Sequence, residues 1–467
     1  MLDLRKVVDA GIAAEFVGAE LGDARRSRRL LKVAECAMAA PAVGFPRMVV
    51  DDSDLEGVYR LLNNEEVAPD NVLEPHVRAT LARMRDVGGP VLIAHDTTDL
   101  RFGGLHWREG LGVTNGNQQG FLLHLALAIV PGEERLALGA CGMLRICRTE
   151  IKKTRSKSWY EMSKDPERES LRWGKPVDQI EARGDRVERI HLMDREGDIY
   201  DLFAQMIGAK TRFVVRSCYD RALAEGGRLF DELDALEPKT HRDIELNERL
   251  DNGRRSRHPF RCTRSAHVAI AGGTVVLRKT PSAHASEKQL SVNFVRVWEE
   301  SPPDGEPPVS WTLYTTEPVE TELQLLTVVD YYRSRWVIEE FFKALKTGCS
   351  VEKRQLESYH GLSVALAMFI PIAWRLLLLR SVSRKTPDAP ASTIVTDVQL
   401  QLLRHRLKLA DVPQTAQAVA YAIAKLAGHL KRNGAPGWLS MGQGLEILLV
   451  MEAGWRAAMD AQRCDQS

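Results

Sequence analysis

The stretch DYYRSRWVIEEFFKALKTG, residues 330–348, sets Trp, Phe, Ile and Leu among an unusual density of charges. Placed on a helix at about 100° per residue, Tyr332, Arg335, Glu339 and Lys346 fall within roughly 60° of one another, with Trp336 and Lys343 at the edge of that stripe. Val337, Ile338, Phe341, Phe342 and Leu345 fill the opposite arc, so one side of the helix is expected in a core. A solvated face usually mixes Lys, Glu, Gln and Ser. This one places Tyr and Trp beside basic residues and a carboxylate, and periodicity leaves a solvated face and a functional site equally open.

At 467 residues the chain is long enough for two or three domains. Its 44% hydrophobic and 27% charged residues are those of a soluble globular protein. Lys and Arg number 64 against 63 Asp and Glu, so nucleic-acid binding would have to come from local clusters. The opening MLDLRKVVDAGIAAEF interrupts its apolar residues with charge and does not read as a secretory signal. VALAMFIPIAW, Val364 to Trp374, reads as a buried helix with a proline kink, too short to span a bilayer. Seven scattered cysteines without a CxxC pair argue against a zinc-thiolate site or a disulfide framework, and for a reducing cytoplasm.

Residues 1 to 85 read as helices. Val91 to Ala94 form an apolar strand that ends at Asp96, and FLLHLALAIV and LALGACGML supply two more strands. The turn-rich VTNGNQQG and PGEE bound them. IKKTRSKSW reads as a surface loop, and PERESLRW as the start of a helix. Another apolar strand, Ile190 to Met193, ends at Asp194, and RFVVRS at 212–217 is a further one. From about 220 to 310 short β-prone pieces such as TVVLRK and QLSVNFVRVW alternate with basic and proline-rich turns, as in an insertion. After SRKTPDAPAST the tail is helical.

Two carboxylates thus end two apolar strands and a third lies on a later helix. Strand ends of an open α/β sheet are where sites are built. A lone strand-end aspartate is more often a turn or helix cap. Three together repel unless a cation neutralises them, and hard oxygen donors without a thiolate or histidine cluster suit Mg²⁺ or Mn²⁺. Two such ions roughly 3.5–4 Å apart can serve in-line displacement at a phosphodiester.

These residues carry a family resemblance. Tyr332, Arg335, Glu339 and Lys346 have the spacing Y-x2-R-x3-E-x6-K, which resembles the signature of bacterial cut-and-paste DDE transposases of the insertion-sequence-four group. AHDTTDL and MDREGDIYDLF are similar to the blocks holding that family's two catalytic aspartates. LGDARRSRRL and EGVYRLLNN resemble its DNA-binding region, and GAPGW its C-terminal domain, although MGQGLEI stands where the family commonly has tryptophans. The resemblance implies an α/β, ribonuclease-H-like catalytic core (71–380) with a β-rich insertion (about 220–310). Helical domains would flank it, one binding DNA (1–70) and one for dimerisation (381–467).

It also implies Asp96, Asp194 and Glu339 as catalytic, metal-binding residues holding two Mg²⁺, with Mn²⁺ as a substitute. Tyr332, Arg335 and Lys346 would grip DNA phosphates with Lys343 and Trp336 contacting DNA beside them, Trp311 would receive a flipped base, Arg216 would lie near the site, and Arg25, Arg26 and Arg29 would contact the element's ends. NGRRSRHPFRCTR at 252–264 would brush the backbone. An exposed basic helix start at Arg25 is poor for the macrodipole and calls for a compensating anion. His95 is assigned a packing or hydrogen-bonding role, and Glu340, about 100° from Glu339, no role. The partners implied are double-stranded DNA and a second copy of the chain, in a bacterial cytoplasm with no membrane role. Two readings stay open beside it: a catalytically silent end-binding remnant or inhibitor, and a nuclease of the same fold that lacks strand transfer.

Overall fold

The computed structural model describes residues 3–49, 51–104, 106–114, 118–148, 169–184, 186–246 and 262–464. IKKTRSKSW lies outside the described residues, as do most of NGRRSRHPFRCTR and parts of PERESLRW and VTNGNQQG.

The strands are β1 (Val91–Arg101), β2 (Gly112–Val113), β3 (Gln119–Ile129), β4 (Ala137–Ile146), β5 (Arg189–Met193), β6 (Arg212–Arg216), β7 (Thr240–Leu246), β8 (Arg264–Arg278), β9 (Gln289–Glu299) and β10 (Ser310–Thr315). They form one sheet in the order β2-β3-β1-β5-β6-β10-β9-β8-β7, with β4 also paired to β3. β1, β3 and β4 are antiparallel neighbours, while β5 and β6 run parallel to β1. Three antiparallel strands followed by two parallel ones make the ribonuclease-H-like core expected from the sequence. β3 and β5 are buried along their whole length, which is why they read as apolar runs broken only by Gln119 and His124 in β3 and by Arg189 and His191 in β5. β7 to β9 lie between β6 and β10 in the chain and extend the same sheet rather than forming a separate layer.

β1 is longer than its apolar run suggested. Its pairing with β3 continues to Arg101, whereas its pairing with β5 stops at Ala94 and Leu192. Asp96 therefore sits in mid-strand, two residues beyond the point where β1 and β5 part. Continuing the parallel register by two residues sets Asp96 opposite Asp194, the first residue after β5. The two aspartates thus follow the paired stretches of neighbouring strands, near enough for the Asp194 charge to help raise the Asp96 pKa.

The helix Tyr359–Lys385 carries Pro371 within it and is longer than the sequence run suggested. By length and apolarity it could cross a membrane, but its most apolar window is 94% buried inside the protein. It packs against the helices Ala24–Ala39, Pro69–Arg85 and Ala416–Leu426 and against β4, so one element braces the N-terminal helices, the sheet and the tail. Near its middle the Trp374 indole N–H donates to the Ala137 carbonyl at 2.8 Å.

A buried polar cluster joins the N-terminal helices to the sheet. Glu15 receives His76 Nδ1–H at 2.6 Å and Arg83 Nη1 at 2.8 Å, while His76 Nε2 accepts from the Ala140 N–H at 3.0 Å. Burial opposes the Glu15 charge, but His76 and Arg83 outweigh it and hold its pKa at about 2. Gly139 fits here because it has no side chain. Its φ is +141°, and a Cβ would lie 2.1 Å from Thr80 Oγ1.

Candidate active site

The segment that opened the sequence reading is not one regular helix. Residues Glu322–Ser334 form a helix started by a Thr321/Gln324 capping box, Val337–Lys343 form a second, and Ala344–Gly348 widen into a π-turn. The break falls at Arg335 and Trp336. A wheel of constant pitch therefore misplaces part of the stripe. Tyr332 is 4% exposed and lies against Trp311, ring centroids 5.6 Å apart, so it backs the site rather than facing out from it. Trp336 is 57% exposed, with the Arg335 guanidinium 5.7 Å from its ring.

Arg335 joins two of the three carboxylates. It is 5% exposed, and it donates through Nη1 to Asp96 Oδ2 at 3.1 Å and through Nη2 to Glu339 Oε1 at 2.8 Å. Burial works against its charge, but Tyr332, Asp96, Glu339 and Asp194 together raise its pKa above the ordinary arginine value. The carboxylates feel the opposite pressure. Burial first, and Asp194 and Glu339 with it, push Asp96 up to about 7 although Arg335 opposes them. Glu339 is also raised, chiefly by burial. Backbone N–H groups fix the aspartates: Thr97 N–H donates to Asp96 Oδ1 at 2.8 Å, and Glu196 N–H to Asp194 Oδ1 at 2.9 Å.

Arg335 thus links Asp96 to Glu339, with the charge of Asp194 acting on both, and hard carboxylate oxygens of this kind are the donors a divalent cation prefers. Burial first, and neighbouring carboxylates second, raise Asp96 and Glu339, and a cation beside them would favour their charged forms. In the arrangement described, Arg335 fills that role between Asp96 and Glu339. Among the described residues no three His, Cys, Asp or Glu side chains form a group able to hold an ion.

The other expected residues are distributed as follows. Lys346, on the π-turn, donates to the Asp99 carbonyl at 2.5 Å and lies 3.8 Å from Glu352. It lines a cavity of about 480 Å³, shared with Thr97, Arg101, Arg148, Arg172 and Glu196, whose walls include none of Asp96, Asp194 and Glu339. Lys343 is exposed and paired to Glu340 at 2.7 Å. Glu340, given no role from sequence, also binds Arg380, which stacks 4.4 Å over Trp438 of GAPGW, so it ties the helix Val337–Lys343 to the tail. Arg216 ends β6, half-buried and opposite Leu313.

In the N-terminal helices, Arg25, Arg28, Arg29 and Lys32 line one face of Ala24–Ala39 at i, i+3, i+4 and i+7. The sequence reading missed Arg28 and Lys32, although their spacing was visible. Arg29 lies against Gly57, where a Cβ would meet its guanidinium at 2.3 Å. Arg26 departs from this face and is held by the Leu21 carbonyl and Glu66. The anion that the basic helix start called for is internal: Asp23 caps the helix, accepting from Arg25 N–H at 2.7 Å.

Residues 10–67 match the family described as Transposase DNA-binding, and residues 170–372 match the Transposase DDE domain. Asp194, Arg335 and Glu339 fall inside the second match and Asp96 precedes it. Among solved structures, the chain is similar to a piggyBac transposase synaptic complex with hairpin DNA, at 10% identity and a TM-score of 0.37. The match covers 94% of this chain and 84% of that one, a likeness too distant to bear on the chemistry. The chain carries a transposase DNA-binding domain followed by a transposase DDE domain.

Proposed function

We propose that this transposase works by cut-and-paste, as in the insertion-sequence-four group, with Asp96, Asp194 and Glu339 as its metal-binding triad. The observation that supports the reading is Arg335, which links Asp96 to Glu339 while the charge of Asp194 acts on both carboxyls.

The three carboxylates would hold Mg²⁺, or Mn²⁺ in its place, as a pair of ions. Bound there, the ions supply activation of an attacking oxygen and stabilisation of the leaving one. The chain's own groups bring the DNA to that point. Arg25, Arg28, Arg29 and Lys32 engage backbone phosphates of the element's inverted ends and set register. Phosphate oxygens of the scissile strand compete for Arg335, whose planar fork suits them as well as it suits carboxylates. Drawing Arg335 off releases Asp96 and Glu339 at the moment DNA is in place. Lys346 contributes a second, point-like charge. Exposed Trp336 offers a face for a base displaced from the duplex, and half-buried Trp311, stacked on Tyr332, a second one. Hydrolysis frees a 3′ hydroxyl, which attacks the opposite strand to give a hairpin. The hairpin is reopened and joined to target DNA within a synaptic homodimer.

The test is a duplex bearing the short inverted repeats that flank the gene, incubated with Mg²⁺ and resolved on denaturing and native gels, wild type beside Glu339→Ala. Boundary cleavage that vanishes in the variant supports the triad, and a hairpin band supports the pathway. A duplex shifted but uncut by both proteins would overturn the proposal in favour of an end-binding remnant. Cut ends that never join to target would indicate a nuclease of the same fold.

A further inference from the structure

The two N–H groups that hold the catalytic aspartates belong to Thr97 and Glu196, and the side chains of those same two residues are bridged by one arginine. Arg172 donates through Nε to Thr97 Oγ1 at 3.2 Å and through Nη2 to Glu196 Oε2 at 2.5 Å. Its guanidinium also reaches back to the Glu169 carbonyl at 3.1 Å, which anchors it to the start of its own helix, Leu171–Glu181.

The bridge is backed by a row of buried histidines whose polarity can be worked out link by link. Glu181 can only accept, so His191 Nε2–H donates to it at 2.9 Å. His191 is fully buried, and with Nε2 as its donor a neutral ring leaves Nδ1 as an acceptor, filled by His95 Nε2–H at 2.7 Å. His95 Nδ1 then accepts from His124 Nε2–H at 3.4 Å, and His124 Nδ1 accepts the Thr97 hydroxyl proton at 2.9 Å. Thr97 Oγ1 is left to accept, and Arg172 donates to it. The row closes without a conflict. His124, His95 and His191 are 0% exposed, and burial drives the pKa of His95 well down and that of His124 to about 3, so both stay neutral. The three lie on neighbouring strands, β3, β1 and β5, on the face of the sheet opposite Asp96, and Trp173 of the Leu171–Glu181 helix packs on His124 with ring centroids 4.9 Å apart.

We propose that Arg172 is a positioning residue for the active site. It locks β1 at Thr97 to the turn at Glu196, and so fixes the separation of Asp96 and Asp194, while the histidine row holds the Thr97 hydroxyl turned to receive it. Arg172 does not touch the reacting phosphate in this role. It acts through the two residues whose N–H groups orient the ligands, and outer partners of metal ligands are typically worth about 10–100-fold in metal affinity or activity. This assignment rests on the triad reading above.

The experiment uses the full-length protein with two probes, Mn²⁺ alone, followed by electron paramagnetic resonance, and the flanking-repeat duplex. Thr97→Val removes the hydroxyl with little change of shape and Thr97→Ser restores it; Arg172→Gln breaks the bridge from the other side. Thr97→Val and Arg172→Gln are expected to weaken Mn²⁺ binding about 10-fold or more and to slow cleavage while duplex affinity stays at the wild-type value, with Thr97→Ser close to wild type. Wild-type Mn²⁺ affinity in Thr97→Val would overturn the proposal, even if Arg172→Gln fails to fold. So would equal losses in Thr97→Val and Thr97→Ser. Failure of the wild type to cut would count against the transposition reading alone, because the Mn²⁺ comparison needs no DNA.

Discussion

Replacing Asp96 with asparagine should change how stability depends on pH in the metal-free protein. The carboxyl is held near pKa 7, against 3.8 in an unstructured chain, chiefly because it is buried beside other carboxylates. A raised carboxyl binds its proton more tightly in the folded state, so wild-type stability falls as pH rises from about 4 through about 7. The shift of about 3 units corresponds to an upper bound of about 4 kcal/mol, fully present above pH 7 and absent below pH 4. Between pH 5 and pH 8 the linkage relation leaves about 2.5 kcal/mol of it. The asparagine amide does not titrate. The variant should therefore gain about 2.5 kcal/mol on the wild type over that interval, whatever constant offset the substitution introduces. With an unfolding entropy of about 2.1 cal/mol/K per residue, that is about 2–3 °C in Tm for a chain of this length unfolding as one unit. Thermal melts of both proteins in EDTA at pH 5 and pH 8 measure it. Adding Mg²⁺ at about 100 times its dissociation constant should restore about 2.7 kcal/mol to the wild type at pH 8 and much less to the variant. Parallel pH dependences, or a wild type that gains on the variant as pH rises, would refute the claim that Asp96 is an under-neutralised carboxylate.

Arg335→Ala leaves Asp96 and Glu339 buried without their shared cation, so the metal-free protein should lose about 3–5 kcal/mol, and Mn²⁺ titration should show tighter binding without DNA than in the wild type. Gly139→Ala should cost about 1–3 kcal/mol in urea unfolding, because its Cβ meets Thr80 and the Glu15–His76–Arg83 cluster. For Arg28→Ala and Lys32→Ala, plots of log affinity for the flanking-repeat duplex against log salt should each lose a slope of about 1, with sequence preference unchanged.

The sequence showed the core strands because β3 and β5 are covered on both faces and carry few polar residues to interrupt the pattern. Asp96 and Asp194 were legible for that reason: each breaks an apolar run. The length of β1 was not, because beyond Ala94 it loses β5 and its residues turn half-exposed while the pairing with β3 carries on. The stripe on residues 330–348 pointed to the site but not to its geometry. A pitch of 3.6 residues cannot anticipate a break at Arg335 or a π-turn at Ala344–Gly348, and so it put Tyr332 outside and Lys346 next to Glu339. Arg172 left no local trace. Its partners are 75 residues back and 24 residues on, and only the sheet brings them together.

The order of these parts along the chain separates the DNA-binding segment from the last carboxylate during synthesis. Arg335 and its partner Asp96 are 239 residues apart, and Glu339 follows four residues later. At about 5–20 residues per second, roughly ten to fifty seconds of translation separate the emergence of the first aspartate from that of the glutamate. Throughout that interval the ribosome carries a chain whose DNA-binding segment, residues 10–67, is already complete. On the proposed reading, a product broken off before codon 339 would keep the segment matched as DNA-binding and lack both the third carboxylate and the helix Tyr359–Lys385 that braces the N-terminal helices. Any such product that still folded would compete with finished copies for the same ends without being able to open them.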